Sequence, residues 1–394
     1  MSIATPKGFR LAVVSVGFKK PGRTDLALAV SDFPASSAGV FTTNLFKAAP
    51  VIVGQDALRQ KETARAILIN AGQANACTGS KGMDNCKASM TLVGAAAKVE
   101  PSDILPASTG VIGAQFNMAL WEKAAPEVAA KLGTASIEDF AAAIMTTDAF
   151  PKYAGEVLEL GGGSVILAGV AKGAGMICPN MATMLSMVLC DAAVEPAQWR
   201  AMFRRAVEMT FNRATVDGDT STNDTLYGLA NGASGVKAAG KDLEILEAAL
   251  TRVLADLAYK LVQDGEGATK VMHISVTGAA SDKDADLAAR AVGHSPLVKT
   301  AMYGKDANWG RIVCALGRSG AAFNPDEVDV TLCGVDLFKN GQPTDLDFDA
   351  LLKEPLEQRA LSIDISLGAG PGKYTLLASD LTHEYISINA DYRS

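Results

Sequence analysis

At 394 residues the chain exceeds the roughly 250–300 over which a single hydrophobic core keeps growing, so two packed units are expected. Its 43 acidic and 36 basic side chains leave a net charge of -7, and the basic ones form no long runs and no interleaving with aromatics, which argues against a nucleic-acid partner. No secretory apolar segment follows Lys7 and Arg10, and no apolar run approaches the roughly 18 residues of a membrane span, so a cytoplasmic protein with no membrane partner is expected.

In chain order, residues 9–14, 26–30, 39–41 and 66–70 are short β-rich runs separated by turns, which suggests sheet. Residues 84–99 are alanine-rich without alternation and predict a helix ended by Pro101. A second helix is expected over 118–132, kinked or restarted at Pro126. A third covers 137–145, where Ser136 and Asp139 have the spacing of a capping box, and it ends at Thr146-Thr147-Asp148. Residues 157–171 form a glycine-punctuated strand, and 184–190 a buried one. Helical spacing returns over 199–209 and 243–261, the latter with an apolar stripe every three or four residues and Gly265 as its cap. A composition change at 278–283 marks the expected boundary between domains 1–280 and 281–394. Near the end, alternating Ile363, Ile365 and Leu367, then Gly368-Ala369-Gly370-Pro371-Gly372, then Tyr374-Thr375-Leu376 predict a hairpin.

The residue inventory narrows the chemistry. Six cysteines (77, 86, 178, 190, 314, 333) show no C-x-x-C spacing and suit a reducing compartment. Cys178 lies near Thr183 but has no histidine close in sequence to generate a thiolate, and reads as a small buried residue. Only His273, His294 and His383 exist, and the first and last sit in strand-like segments. A Ser-His-Asp or Cys-His device, or most zinc sites, would need one of them. Asp217-Gly218-Asp219-Thr220-Ser221-Thr222-Asn223-Asp224 has its glycine at the wrong position for a calcium loop. No metal and no cofactor is expected, and no catalytic role is assigned to that block.

A nucleophile that carries its own base fits better. In Lys172-Gly173-Ala174-Gly175-Met176-Ile177-Cys178-Pro179-Asn180-Met181-Ala182-Thr183, the glycines and the Pro-Asn pair predict a sharp bend just before a threonine that opens a buried strand. A threonine there can attack the preceding carbonyl, giving an ester that water cleaves. Thr183 would then hold a free α-amine, with a pKa of roughly 7.7–8.0, beside its hydroxyl. The same pattern also describes an ordinary β-branched strand residue. Other segments are equally two-sided. Ala107-Ser108-Thr109-Gly110-Val111 suits an oxyanion hole or a turn. Lys172 is either a buried cation awaiting an anion or a snorkelling surface lysine. Thr146 reads from sequence alone as a cap or turn hydroxyl. Gly265-Glu266-Gly267-Ala268-Thr269-Lys270 lacks phosphate-loop spacing and reads as an amine-binding acid or a solvated turn.

The segment ending at Thr183 resembles the processing site of the glutamate N-acetyltransferase (ornithine acetyltransferase) family. The similarity runs from Thr5-Pro6-Lys7-Gly8-Phe9-Arg10 to Asn389-Ala390-Asp391-Tyr392-Arg393-Ser394. The resemblance implies an α/β fold of sheets sandwiched between helices, similar in layering to N-terminal-nucleophile hydrolases, with a smaller C-terminal α/β domain. It implies self-cleavage between Ala182 and Thr183, with Thr183 the nucleophile and Thr109 and Gly110 the oxyanion hole. By the same resemblance Thr146, Lys172, Thr183, Glu266, Asn389 and Ser394 contact substrate, Lys172 meeting the α-carboxylate of an amino acid. The implied reaction is ping-pong acetyl transfer from N-acetyl-ornithine to glutamate in arginine biosynthesis, with acetyl-CoA a further possible donor. The implied assembly is a heterotetramer of two α and two β chains. Ser394 stands where the family more often has threonine, and Ala149 where another threonine is common. Two rivals are a self-processed amidase or peptidase that delivers the acyl group to water, and an unprocessed amino-acid-binding or regulatory protein.

Overall fold

The computed structural model describes residues 3–19, 22–178 and 184–391. They divide into two compact units, one formed by residues up to 212 together with 219–261, the other by 213–218 and the residues from 262 onward. In chain order the elements are β1 Phe9–Val14, β2 Leu26–Phe41, α1 Ala49–Gln60, β3 Thr63–Gln73, α2 Gly79–Ala97, β4 Ile104–Val111, α3 Met118–Ala130, α4 Ile137–Ala143, β5 Lys152–Leu160, β6 Gly163–Lys172, β7 Leu185–Cys190 and α5 Pro196–Met209. There follow β8 Ala214–Thr215, β9 Thr225–Ala230, α6 Lys241–Gln263, β10 Val271–Ala279, α7 Asp282–Gly293, α8 Pro296–Tyr303 and α9 Trp309–Gly317. The last are β11 Asp329–Leu332, β12 Val335–Lys339, β13 Gln342–Pro343, α10 Phe348–Leu352, β14 Ala360–Ser366, β15 Gly372–Ser379 and α11 His383–Asp391.

The first unit holds an eight-stranded sheet in the order β4-β3-β2-β9-β7-β6-β5, with β1 also paired to β2. Both faces are covered. Leu28 and Leu68 pack with Val93 of α2 and Trp121 of α3 on one side, while Ala27, Ala29 and Ile67 pack with Phe140 of α4 on the other. A strand buried on both faces reads as a continuous apolar run, which is why 26–30 shows no alternation. Every residue of β7 and β9 is buried. In the second unit a seven-stranded sheet runs β13-β12-β11-β14-β10-β15-β8, and Ile274 and Val276 of β10 pack with Ala288 and Val292 of α7 and Ile312 of α9. The chain is therefore α/β, with two sheets and helices packed on them, as expected.

Several local expectations need correction. The runs 26–30 and 39–41 are parts of one strand, β2, whose pairing with β3 shifts register between Val30 and Ala35. An irregularity there bends one long strand where the sequence suggests two. The helix α1 was not expected, because Val51, Ile52, Val53 and Gly54 are poor helix formers. Gly54 is required by packing, since a Cβ there would fall 1.9 Å from the Tyr227 hydroxyl. The helix α2 ends before Pro101, at Lys98 with a left-handed φ of 58°, and α3 continues through Pro126. The capping box of Ser136 and Asp139 is present.

The expected hairpin of β14 and β15 is not one. The central strand β10 lies between them, parallel to β14 and antiparallel to β15. The glycine-rich connection crosses the end of β10, and a Cβ on Gly370 would sit 2.1 Å from the Ala279 carbonyl. That membership puts β10 inside the second unit, so the boundary expected at 280/281 falls between β10 and α7, within the unit that begins at Val262. His383 opens the helix α11 rather than a strand, whereas His273 lies on β10.

Candidate active site

In the first unit the site is organised by two parallel strands whose ends come unusually close. β3 and β4 pair in register, Ala71 with Thr109 and Gly72 with Gly110. Gly72 and Gly110 have φ of 118° and 127°, and a Cβ on Gly110 would meet the Gly72 carbonyl carbon at 2.2 Å. Glycine is therefore required twice, for backbone shape and for approach. Side chains lock the strand ends: Ser108 donates to Asn70 Oδ1 (2.6 Å), and the Asn223 amide donates to the carbonyls of Ser108 (2.8 Å) and Ala74 (2.7 Å). Asn223 thus ties the acidic block before β9 to the Thr109-Gly110 strand. A backbone held so rigidly suits hydrogen-bond donors that must be in place before charge develops.

Lys172, the last residue of β6, is buried and its Nζ donates to Thr109 Oγ1 at 3.2 Å. Two of the sequence's candidates therefore touch. The anion beside them is Asp148. It is buried, accepts from Lys152 Nζ at 2.6 Å, and also accepts the peptide N–H groups of Gly173 (2.6 Å) and Thr146 (2.9 Å). Burial alone pushes its carboxyl up, but the Lys172 and Lys152 ammonium groups and these hydrogen bonds outweigh it and hold the pKa at about 2. One carboxylate thereby fixes the backbone at Thr146 and next to Lys172. Asp148 is not among the candidates legible in the sequence, where the available signal is an acid in Thr146-Thr147-Asp148 four residues before Lys152. Lys19 adds to this positive region. Burial, then the Lys172 charge, lower its pKa to about 8, and its Nζ donates to the Ala143 carbonyl at the end of α4 (2.9 Å).

β7 enters the same sheet between β6 and β9. Its preceding residue, Met184, donates its peptide N–H to Asp224 Oδ1 at 3.0 Å. Burial raises the Asp224 carboxyl well above the usual range, against the lowering effect of that N–H and of Lys172. The sequence reading gave the block containing Asp224 no catalytic role. Ala182 and Thr183, the expected cleavage pair, and Ser394 lie outside the described residues.

In the second unit, Glu266 and Asn389 meet. Glu266 is buried, and its Oε2 accepts from the Asn389 amide at 2.8 Å. The Thr382 hydroxyl donates to the Gly267 carbonyl at 2.9 Å, holding the 265–267 turn against the start of α11. Gly267 has φ of 69°, and a Cβ there would clash with the Tyr385 amide at 2.7 Å. The helix α11 therefore packs onto this turn instead of trailing as a tail. Among the cysteines, burial pushes the thiols of Cys86 and Cys190 up to about 12, which leaves them un-ionised and poorly nucleophilic. Among the described residues, no helix is long and apolar enough to cross a membrane.

Residues 10–394 match the ArgJ family model. The chain is 65% identical over 391 residues to the arginine biosynthesis bifunctional protein ArgJ of Nitratidesulfovibrio vulgaris, covering 99% of this chain and 100% of that one. The chain belongs to the ArgJ family. The protein of the same description from Geobacter sulfurreducens is 45% identical, with coverage of 98% and 99%. A crystal structure of the ArgJ protein of Bacillus halodurans superposes with a TM-score of 0.52 at 38% identity, covering 53% of this chain and 100% of that chain.

Proposed function

We propose that this chain is an acetyltransferase of arginine biosynthesis, which cleaves itself between Ala182 and Thr183 and uses Thr183 to move an acetyl group from N-acetyl-ornithine to glutamate. The observation that carries the geometry of this reading is the buried contact of Lys172 with Thr109, which joins a cation for the substrate carboxylate to an oxyanion-hole strand. In the first half-reaction the Thr183 hydroxyl adds to the acetyl carbonyl, its proton passing to its own α-amine. Thr109 and the Gly110 N–H stabilise the oxyanion, each donor contributing on the order of 3 kcal/mol. Collapse releases ornithine and leaves acetyl-threonine. Glutamate then attacks this ester, and N-acetylglutamate leaves. Thr146, Lys172, Glu266, Asn389 and Ser394 hold the amino acid, with Lys172 on its α-carboxylate and Glu266 toward its ammonium group.

Sheet order supports a cut that leaves the chains together. A break at 182/183 places β1 to β6 on one product and β7 and β9 on the other, yet β9 pairs with β2 and β7 with β6. Separation would break two ladders in the middle of one sheet. The solved Bacillus halodurans chain, covered whole while matching 53% of this one, has the length such a cut would give. Two such pairs form the proposed heterotetramer, in the cytoplasm. The relatives' description as bifunctional favours a second activity, and acetyl-CoA as an alternative donor to glutamate is the one proposed.

The test is the intact mass of the denatured recombinant protein beside Thr183→Ala, followed by initial-rate kinetics. Two fragments in the parent and one chain in the variant are expected, with parallel lines in double-reciprocal plots for acetyl-ornithine and glutamate. An uncut parent, or intersecting lines that require a ternary complex, would overturn the mechanism. Acetyl release to water without ornithine-dependent exchange would make the protein an amidase.

A further inference from the structure

Asp224 immediately precedes β9 and is fully buried. Its Oδ1 accepts the Met184 N–H at 3.0 Å, and the adjacent Thr225 N–H donates to the Met184 carbonyl at 3.1 Å. These two bonds extend the parallel β7–β9 ladder, whose first pair is Leu185 with Thr225, by one residue. Both backbone polar groups of Met184 are therefore held, and Met184 is one peptide unit, about 3.8 Å from Cα to Cα, past Thr183. The other Asp224 oxygen has no hydrogen-bond partner among the described residues. The Thr42 hydroxyl, 2.6 Å from the Ser221 carbonyl, and the Ser221 backbone also act on the Asp224 carboxyl through hydrogen bonds. A carboxyl buried in this way is costlier than an apolar side chain of similar size, so packing alone does not account for it.

We propose that Asp224 is a positioning residue for Thr183: by holding the Met184 N–H it fixes the peptide that carries the nucleophile, in self-cleavage and in the acetyl transfer that follows. The inference rests on the reading of Thr183 as that nucleophile. The role needs an uncharged group with an acceptor at the Oδ1 position. Burial shifts the Asp224 carboxyl toward that form, and a carboxylate bonded to the Met184 N–H would favour the ammonium form of the neighbouring α-amine, which cannot act as a base. In cleavage the Thr183 hydroxyl oxygen bonds to the Ala182 carbonyl carbon, the Ala182–Thr183 C–N bond breaks, and the hydroxyl proton ends on the released amine. Water then splits the ester into the Ala182 carboxylate and the free hydroxyl. Asp224 exchanges no atom in these steps.

Asp224→Asn keeps the acceptor and the neutrality, whereas Asp224→Ala removes both oxygens. Timed intact-mass measurements of the full chain, with kcat and KM of each cleaved preparation, test the role. Asp224→Asn is expected to cleave and turn over within a few-fold of the parent. Asp224→Ala, with the parent's circular dichroism, is expected to cleave about 100-fold more slowly, the scale of a small misplacement of a reacting group. Its cleaved fraction should show a lowered kcat with an unchanged KM for acetyl-ornithine. A folded Asp224→Ala that cleaves at the parental rate, or an Asp224→Asn as slow as Asp224→Ala, overturns the proposal. Should Asp224→Ala not fold, Asp224→Asn decides alone: near-parental rates support the role and a 100-fold loss overturns it. A parent that neither cleaves nor transfers acetyl overturns the reading of Thr183 and the positioning role with it, while a competent parent matched by Asp224→Ala overturns only the role of Asp224.

Discussion

Two buried carboxyls in the first unit, Asp148 and Asp224, share an environment of low accessibility and have pKa values shifted in opposite directions. Asp148 has Lys152 at 2.6 Å, the field of Lys172 and two peptide N–H donors, and stays ionised with a pKa of about 2. Asp224 also feels the Lys172 charge and hydrogen bonds from Met184, Thr42 and Ser221, but burial outweighs them and raises its carboxyl well above the usual range. The two shifts differ in sign although burial is common to both, because Asp148 has the Lys152 ammonium in direct contact. Asp148 anchors Lys152 and the backbone at Thr146 and Gly173, and Asp224 holds the residue that enters β7.

The largest effect that can break this comparison is Asp148→Ala. It would leave the Lys152 ammonium, which has 0% side-chain exposure, without its carboxylate. Losing one member of a buried pair costs about 3–5 kcal/mol, to be read from urea unfolding of the two-chain protein. A loss below about 1 kcal/mol, the scale of an exposed pair, would mean that Asp148 is not what holds these cations. Thr109→Val comes next, because it keeps the shape of the side chain while removing the hydroxyl that accepts from Lys172. If Thr109 works in the oxyanion hole, kcat falls about 100- to 1,000-fold with stability nearly unchanged. A fall under 10-fold would leave the strand with a structural part only.

The scaffold of this comparison was only partly legible in the sequence. The capping box at Ser136, the buried strand after Thr183 and the long amphipathic helix α6 followed from local pattern, because each is stabilised by neighbours in sequence. What failed was non-local. Nothing in 363–376 says that β10 will insert between its two strands, and nothing near Gly54 announces Tyr227. The site divided in the same way. Thr109, Gly110 and Lys172 are candidates through motif resemblance, and the structure places Lys172 against Thr109. Asp148 and Asp224 were missed because their meaning lies in Lys152, Lys172 and Met184, which only the folded sheet brings to them.

Acid titration offers a smaller effect and separates the two carboxyls by sign. The folded Asp148 pKa of about 2 lies below the unfolded value of about 3.9. Its contribution is therefore present above pH 4 and is lost as pH falls toward 2, on the order of 2 kcal/mol. Asp224, raised in the folded state, works the other way: below pH 4 it is protonated in both states, and as pH rises above 4 the unfolded chain alone ionises, which lowers stability. Urea unfolding from pH 2.5 to 7 should show the parent losing stability relative to Asp148→Asn at the acid end, and relative to Asp224→Asn toward neutrality. Parallel curves for the two variants would erase the distinction between the carboxyls.

The smallest expected effect comes from Ser136→Ala, which removes the cap of α4 and leaves both carboxyls in place. The Ser136 hydroxyl accepts the Asp139 N–H at 3.1 Å, and the Asp139 carboxylate accepts the Ser136 N–H at 2.9 Å. Loss of such a cap costs about 1 kcal/mol. The helix leads through Ala143, whose carbonyl receives Lys19, to Thr146, whose N–H is fixed by Asp148. If Asp148 alone fixes the Thr146 backbone, Ser136→Ala lowers the unfolding midpoint and leaves kcat and KM at parental values. A rise in KM for acetyl-ornithine without a change in kcat would instead show that α4 transmits its stability to Thr146. The substrate side of the site would then depend on the whole helix-to-strand connection and not on one buried carboxylate.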